Sequence, residues 1–319
     1  ISSFVLGLGY FLASLTISFV QFSLVQALLI GMFGCSVTLG PLIAYTSFWF
    51  RKRRGIAVSI VASGNYLAGT IWPPILQFLI EELGWRNAHV CVGLICIIIM
   101  IPLSFFLKSP PPQLQEDQHS SNINVIGSKN DQTIIQGLLM IAGLCCCIAM
   151  SMPQVHIVAY CGELGYGVSR GAEMLSIMLG VGIISRIISG IIADKIGGVR
   201  TLILGSKLQF LAILLYLPFD GLMSLFVVSA FFGLAQGGLI PSYALIVRDY
   251  FSASEAASRV SIVMMATIIG MALGGWMSGE IFDLTGSYRV AFLNGAFFNL
   301  INMSIAFWFL MKRPIQQRS

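Results

Sequence analysis

Charged residues are scarce in this chain. Only 10% of its 319 residues are Asp, Glu, Lys or Arg, whereas 57% are hydrophobic and the mean hydropathy is +0.88. A water-soluble protein of this composition would have too few polar side chains to cover its surface. The net charge of +5 does not indicate nucleic-acid binding, because the basic residues cluster in short segments between apolar runs. The composition predicts an integral protein of the lipid bilayer with no nucleic-acid partner.

Motifs for metals and nucleotides are also missing. The seven cysteines include the consecutive Cys145, Cys146 and Cys147, and no cysteine spacing matches a zinc site, so packing is the simpler interpretation. No segment matches the phosphate-binding pattern G-x-x-x-x-G-K-[ST]. The sequence therefore predicts no metal, no cofactor, no enzymatic activity and no direct use of ATP.

Long apolar runs, in contrast, recur throughout the sequence. They predict an all-α membrane protein with ten membrane helices, at about residues 4–20, 23–47, 55–80, 86–107, 134–157, 172–193, 201–218, 222–247, 256–282 and 289–311. The polar segment 108–133 contains Pro110, Pro111 and Pro112 and has no periodicity. We therefore predict a helix bundle over 1–107, a cytoplasmic linker over 108–133, and a second bundle over 134–319 that ends in a short cytoplasmic tail.

The distribution of basic residues predicts the orientation. One set of loops and tails contains fourteen of the 18 Lys and Arg residues, namely Arg51, Lys52, Arg53, Arg54, Lys108, Lys129, Lys195, Arg200, Lys207, Arg248, Arg259, Lys312, Arg313 and Arg318. The opposite set contains three, Arg86, Arg170 and Arg289, and the one that remains is Arg186. Because basic loops stay in the cytoplasm, the first set, both ends of the chain and the linker are predicted to be cytoplasmic.

The chain also repeats itself at an offset of about 200 residues. The pattern that runs from Gly31 through Pro41 to Arg86 recurs from Gly233 through Pro241 to Arg289. Parallel repeats of this kind are how six-plus-six transporters are built. The second copy holds six predicted helices and the first only four, so we expect that about 67 residues with two further helices precede Ile1 in the whole protein.

Arg186 is the single basic residue within the apolar span of about residues 172–193. A charged side chain near the middle of a bilayer costs between about 3 and more than 10 kcal/mol, so its guanidinium is expected to face a partner or a water-filled cavity. Small residues one turn away on the same face, Gly182 and Gly190, leave room beside it for a ligand. Substrate binding is one interpretation. The alternative is a structural role, through an ion pair with an acid outside this sequence or hydrogen bonds to backbone carbonyls.

A cytoplasmic loop carries the broadest family resemblance. The segment Gly190-Ile-Ile-Ala-Asp194-Lys195-Ile-Gly197-Gly-Val-Arg200 resembles the loop signature G-x-x-x-D-[RK]-x-G-x-x-R of the major facilitator superfamily. The resemblance implies two parallel-repeat helix bundles, of which ten of the twelve membrane helices are present: helices 3–6 in 1–107 and helices 7–12 in 134–319. In such a loop the acid can cap a neighbouring helix, the glycine makes a turn and the basic residues lie at headgroup level.

A narrower resemblance is to the monocarboxylate-transporter-like branch, near the oxalate/formate exchangers. It runs from His156 and Tyr160 to Arg186 and Gly190, and in that branch the arginine followed four residues later by glycine binds the substrate carboxylate. The chain departs from the branch at two positions. Gly182 stands where proton-coupled animal members carry an aspartate, and no lysine lies within 260–282, where oxalate exchangers use one.

Other polar residues in apolar spans are weaker candidates for the site. His156 follows Pro153 by three residues, and an imidazole can take a proton near neutral pH, so His156 is the candidate for substrate contact and proton coupling, although a hydrated helix-end histidine is the simpler interpretation. Tyr243 and Asn65 are predicted to line the cavity, with interhelical hydrogen bonding as the alternative. Tyr66, Gln236 and Thr267 are further candidates of the same kind.

The functional prediction is secondary-active transport of a small organic anion, most simply a monocarboxylate, by alternating access, as symport or antiport with protons as the candidate coupling ion. The first alternative is an exporter of drug-like or neutral solutes in which Arg186 is structural. The second is a non-transporting membrane sensor or partner subunit. The resemblance further implies a monomer, and we predict a multi-pass protein of the bacterial inner membrane.

Overall fold

The structure is a computed structural model that describes residues 2–34, 42, 45–46, 49–50, 54–106, 129–251 and 253–312. Its helices are α1 (Ser2–Ser14), α2 (Phe19–Val25, continued by a π-helix over Gln26–Gly34), α3 (Arg54–Phe106), α4 (Lys129–Glu163), α5 (Val168–Ile196), α6 (Gly198–Leu215), α7 (Leu222–Gln236), α8 (Leu239–Tyr250), α9 (Ala253–Thr285) and α10 (Tyr288–Met311).

Most of the predicted apolar runs coincide with these helices, but the run predicted at 4–20 ends at Ser14 and the next helix already begins at Phe19. Within the described ranges, seven helices are long and apolar enough to cross a membrane, and three shorter apolar helices cover Ser2–Ser14, Phe19–Gly34 and Ile56–Trp72. The third and fourth predicted helices are the two arms of α3, which is broken at Gly84, where φ is 78°. Residues 35–41 of the second predicted helix lie outside the described residues.

Other predicted boundaries also differ from the structure. The fifth helix begins at Lys129 rather than at residue 134, because the polar residues of its first turn continue the helix beyond the apolar run that hydropathy detects. Residues 107–128 of the predicted linker lie outside the described residues. The predicted membrane helix 222–247 corresponds to one apolar segment of membrane-spanning length, Leu222–Tyr250, which is interrupted between α7 and α8 at Gly237 and Gly238.

The chain forms two compact units. The first comprises residues 1–51 and 71–115, and the second comprises residues 52–70 and 116–319. Segment 52–70 therefore packs with the second unit, whereas the predicted bundles assign it to the first. In the first unit, α1 approaches the second arm of α3 so closely that a methyl group on Gly93 would lie 3.0 Å from the Gly7 carbonyl oxygen.

In the second unit, α4 is the central helix and packs mainly against α9, α10 and α5. Its close approach to α9 depends on two glycines, because a methyl group on Gly270 or Gly274 would overlap the backbone of α4 at Leu144 or Ile148. Side chains of α4, α6, α7 and α10, such as Met150, Tyr216, Phe232 and Phe292, form a buried aromatic and aliphatic core. Within this core α7 packs against α6, and α5 packs against both α7 and α4, so these contacts position the two helices that carry Arg186 and its Gly237 partner.

Candidate functional site

Arg186 lies on the buried face of α5. Large apolar residues of the same helix, Ile184, Ile188 and Ile191, are exposed on the face that a bilayer would cover. The Arg186 side chain points away from that face and is only 2% exposed. A helix with its apolar residues outward and its one charge inward fits a membrane-embedded position, since lipid cannot solvate a guanidinium.

The first partner of Arg186 is the carbonyl of Gly237, which has no donor within its own helix. In an uninterrupted helix, the carbonyl of Gly237 would accept a hydrogen bond from the backbone N–H of residue 241. Residue 241 is proline and has no N–H, so α7 ends and its terminal carbonyl is available. The Nε of Arg186 donates to this Gly237 oxygen at 3.0 Å. Gly237 is also needed for close packing, because a methyl group there would lie 2.6 Å from the Arg186 backbone nitrogen.

The other partners of Arg186 belong to the first arm of α3. Its Nη1 donates to the carbonyl oxygen of Ala62 at 2.6 Å. Its guanidinium carbon lies 3.9 Å from the centroid of the Tyr66 ring, in a cation–π contact. The expected space beside Gly182 is filled by this ring, since a methyl group on Gly182 would lie 2.9 Å from two Tyr66 ring carbons. The predicted open space beside Gly182 is therefore absent in this conformation. The contacts of Arg186 are instead those of the structural alternative, in which the side chain donates to backbone carbonyls.

All of these partners are neutral. Among the described residues, the salt bridges join Arg170 to Glu173, Arg259 to Glu255 and Arg289 to Asp220, and none involves Arg186. Two carbonyl dipoles and one aromatic face satisfy part of the guanidinium's hydrogen-bonding capacity, but they leave its unit charge in place. The site therefore carries a net positive charge that a carboxylate can neutralise.

The loop signature lies where α5 meets α6. Asp194 accepts a hydrogen bond through Oδ2 from the backbone N–H of Ile56 at 3.4 Å, in the first turn of α3, which is the capping role expected of this acid. Gly197 has φ 84° and makes the turn between the two helices. Lys195 and Arg200 are exposed, whereas Gly190 is buried. Their gating role stays a prediction.

His156 joins α4 to α9. Its Nε2 lies 2.8 Å from the carbonyl oxygen of Gly275, and because a carbonyl only accepts, Nε2 carries the hydrogen. Its ring lies 5.5 Å from that of Tyr288. The contact uses the Nε2 nitrogen of the imidazole as a donor. The role of His156 in proton coupling stays a prediction.

Tyr243 and Asn65 are not brought together with Arg186. Tyr243 is fully buried in the second unit, where its hydroxyl donates to Oδ1 of Asn302 at 2.7 Å and Asn302 donates in turn to Ser206 at 2.8 Å. This hydrogen bond is the interhelical contact that the alternative interpretation expects, and a role of Tyr243 in substrate contact stays a prediction. Asn65 is exposed. Hydropathy does not distinguish the faces of a buried helix, so it cannot decide which of these side chains lines a cavity.

Three features of the site were not predicted. They are the Gly237 carbonyl, the stacking of Tyr66 under Arg186, and a side-chain pair in which Nε2 of Gln154 donates to Oε1 of Gln236 at 2.7 Å. The available Gly237 carbonyl could have been predicted from Pro241, four residues later, which lacks the N–H that would pair with it. The other two depend on tertiary packing, which no local pattern encodes.

Comparison with known proteins extends this description. The family model "Major Facilitator Superfamily" matches residues 1–232 and 208–319. Monocarboxylate transporter 13 of Bos taurus is 28% identical over 301 residues, which cover 91% of this chain and 68% of that protein. The agnestins efflux protein AgnL12 of Paecilomyces divaricatus is 25% identical over 301 residues, which cover 92% of this chain and 66% of that protein. The chain thus spans about two thirds of the length of these relatives.

The fold is shared with solved transporters. The crystal structure of the human organic anion transporter MFSD10 superimposes with a TM-score of 0.68 at 15% identity, covering 96% of this chain and 75% of that one. The similar curated proteins are from animals and fungi, so the prediction of a bacterial inner membrane gains no support. An all-α fold, apolar helices of membrane-spanning length and a family match over the whole chain lead to one conclusion. The chain belongs to the major facilitator superfamily of multi-pass membrane transporters.

Proposed function

We propose that this protein is a secondary-active carrier of small organic anions, most simply monocarboxylates, and that Arg186 binds the substrate carboxylate. One observation carries the proposal. The buried guanidinium of Arg186 has only neutral partners among the described residues, so its charge is not compensated. Similarity to monocarboxylate transporters 12 and 13 supports the same class of substrate.

The chemistry of the group suits this role. A guanidinium presents its N–H donors in a planar fork that matches the two oxygens of a carboxylate, and the paired charges bind more strongly than neutral partners do. In a region of low dielectric constant, a monovalent anion beside Arg186 would make the site electrically neutral. Neutralisation lowers the cost of enclosing the site inside the membrane, which is the step that alternating access requires.

The present contacts suggest how binding is coupled to movement. Arg186 is 2% exposed and donates to both Ala62 and Gly237. An incoming carboxylate has to replace at least one of these carbonyls. Because Ala62 lies on α3 and Gly237 lies at the end of α7, exchange of a carbonyl for a carboxylate would release one helix from α5. We propose that this release is the conformational response to substrate.

The experiment is uptake of labelled carboxylates into membrane vesicles that contain the protein expressed from its complete reading frame. Arg186→Gln should abolish saturable uptake, and Arg186→Lys should keep charge but lose the bidentate geometry and most of the affinity. Arg170→Gln is the matched control, because Arg170 is exposed and paired with Glu173 at 2.8 Å, so its loss should leave uptake unchanged. Carboxylate uptake that persists in well-inserted Arg186→Gln protein would refute the proposal.

A second candidate function is export of drug-like or neutral solutes, with Arg186 acting as a structural tie between α3, α5 and α7. The observation in its favour is that two backbone carbonyls already accept hydrogen bonds from this side chain. Similarity to the fungal agnestins efflux protein points the same way. On this alternative, lactate, pyruvate and formate would neither be transported nor compete, and Arg186→Gln would reduce the amount of folded protein rather than its selectivity.

A further inference from the structure

Beside Arg186, a buried side-chain amide has one polar atom without a partner. Gln236, the last residue of α7, is 0% exposed, and its Oε1 accepts a hydrogen bond from Gln154. Its Nε2 has no hydrogen-bond partner among the described residues.

A second unpartnered group lies on α3. Tyr66 is 4% exposed, and its hydroxyl has no hydrogen-bond partner in the described part of the chain. Other buried tyrosines differ, since the hydroxyl of Tyr216 lies 3.0 Å from that of Ser229 and the hydroxyl of Tyr243 lies 2.7 Å from Asn302. Buried polar atoms are nearly always paired, so a group without a partner requires an explanation.

One group contacts the arginine, and the other belongs to the residue that precedes one of its partners. The ring of Tyr66 lies 3.9 Å from the Arg186 guanidinium carbon. Gln236 directly precedes Gly237, whose carbonyl oxygen is 3.0 Å from Arg186 Nε. The amide and the hydroxyl therefore belong to two different helices that Arg186 contacts. Both are neutral, and each can donate a hydrogen bond.

We propose that Gln236, held by Gln154, and Tyr66 are specificity-determining residues that bind a neutral hydrogen-bonding group of the substrate while Arg186 binds its carboxylate. The proposal rests on the function proposed above and assigns the residues that would recognise a hydroxyl, carbonyl or amide on the carboxylate. A site with buried polar groups discriminates strongly against an analogue that lacks the matching group, because those groups then stay unpaired. Plain alkyl carboxylates should therefore be poor substrates.

The test compares 3-hydroxybutyrate with butyrate, which differ by one hydroxyl, in vesicles that contain the protein expressed from its complete reading frame. The readout is the ratio of their transport efficiencies, Vmax/KM. We expect the protein to prefer 3-hydroxybutyrate, and Gln236→Leu to lower the preference by about tenfold, chiefly through the hydroxylated substrate. Tyr66→Phe retains the ring under Arg186 and removes only the hydroxyl, so it tests the same point with little risk to folding.

Gln209→Leu is the matched control for removing a buried glutamine. Gln209 is 0% exposed like Gln236, but it is hydrogen-bonded to Cys146 and is no part of the site, so this substitution should leave the preference unchanged. Unchanged preference in both Gln236→Leu and Tyr66→Phe would overturn the inference while carboxylate transport stands. Absence of transport of either compound by well-inserted protein would overturn the proposed function, and this inference with it.

Discussion

The carboxylate of Asp194 accepts a hydrogen bond from the backbone N–H of Ile56, with oxygen and nitrogen 3.4 Å apart. Asp194 lies near the end of α5 and Ile56 in the first turn of α3, where backbone N–H groups have no partner within the helix. The negative charge also opposes the positive end of the helix dipole. Asp194 thus stabilises the start of the same helix whose Ala62 carbonyl binds Arg186.

The Asp194 contact predicts a graded loss of stability. Asp194→Ala removes the acceptor and should lower the free energy of unfolding by about 1 kcal/mol, as for other helix caps. Asp194→Asn retains a side-chain oxygen and should lose less. Thermal unfolding of the purified protein in detergent measures the difference. Equal losses in the two variants would mean that charge, rather than the hydrogen bond, is what matters at this position.

Tyr243 is expected to affect stability and not transport. Tyr243→Phe removes the donor to the buried Oδ1 of Asn302, and leaving such an acceptor unpaired costs about 1–3 kcal/mol. Because Tyr243 is fully buried and its hydroxyl is bonded to Asn302, the KM for substrate should stay the same. Tyr166→Phe removes an exposed hydrogen bond to Asp220 and should change neither quantity appreciably. A raised KM in Tyr243→Phe would restore this residue to the substrate site.

Gly270 should not tolerate a methyl group. Gly270→Ala would overlap the backbone of Leu144 and force α9 away from α4, with a loss of about 1–3 kcal/mol in the free energy of unfolding. Gly137→Ala is the internal comparison, because nothing lies within 4 Å of its added methyl group and alanine favours the helix by up to about 1 kcal/mol. Thermal unfolding of both variants checks this. Equal stability of the two would contradict the close packing of α4 and α9.

His156 is expected to determine the pH response of transport. Glutamine can place an amide N–H near the position of Nε2 and keep the bond to Gly275, but it cannot gain a proton. His156→Gln should therefore abolish the stimulation of uptake by an inwardly directed proton gradient and leave exchange at equal pH intact.

The control for this prediction is His89→Gln. His89 lies in the first unit, where its Nδ1 is 2.8 Å from the carbonyl oxygen of Trp85. Its replacement should leave the proton-gradient effect unchanged. If His156→Gln responds to pH as the unmodified protein does, the coupling proton binds elsewhere.

Sequence patterns predicted the fold better than they predicted the contacts of the site. Hydropathy located the apolar helices because lipid demands continuous apolar runs, and the charge of Arg186 marked it as a functional candidate for the same reason. Hydropathy did not detect the break between α7 and α8, since Gly237 and Gly238 interrupt no apolar run. The partners of Arg186 on α3 are more than a hundred residues away in sequence, and only packing brings them together.

Pro241 has a consequence that reaches beyond the helix it interrupts. As long as residue 241 lacks an N–H, the Gly237 carbonyl gains no replacement donor from its own helix when Arg186 departs. Leaving the Gly237 carbonyl unpaired costs free energy. That cost would lower the affinity of Arg186 for any anion that replaces the carbonyl, and so would favour the anion-free state. If Arg186 binds the substrate as proposed, Pro241 tunes the affinity through the Gly237 carbonyl, and Pro241→Ala would relieve the bias by giving Gly237 a permanent donor.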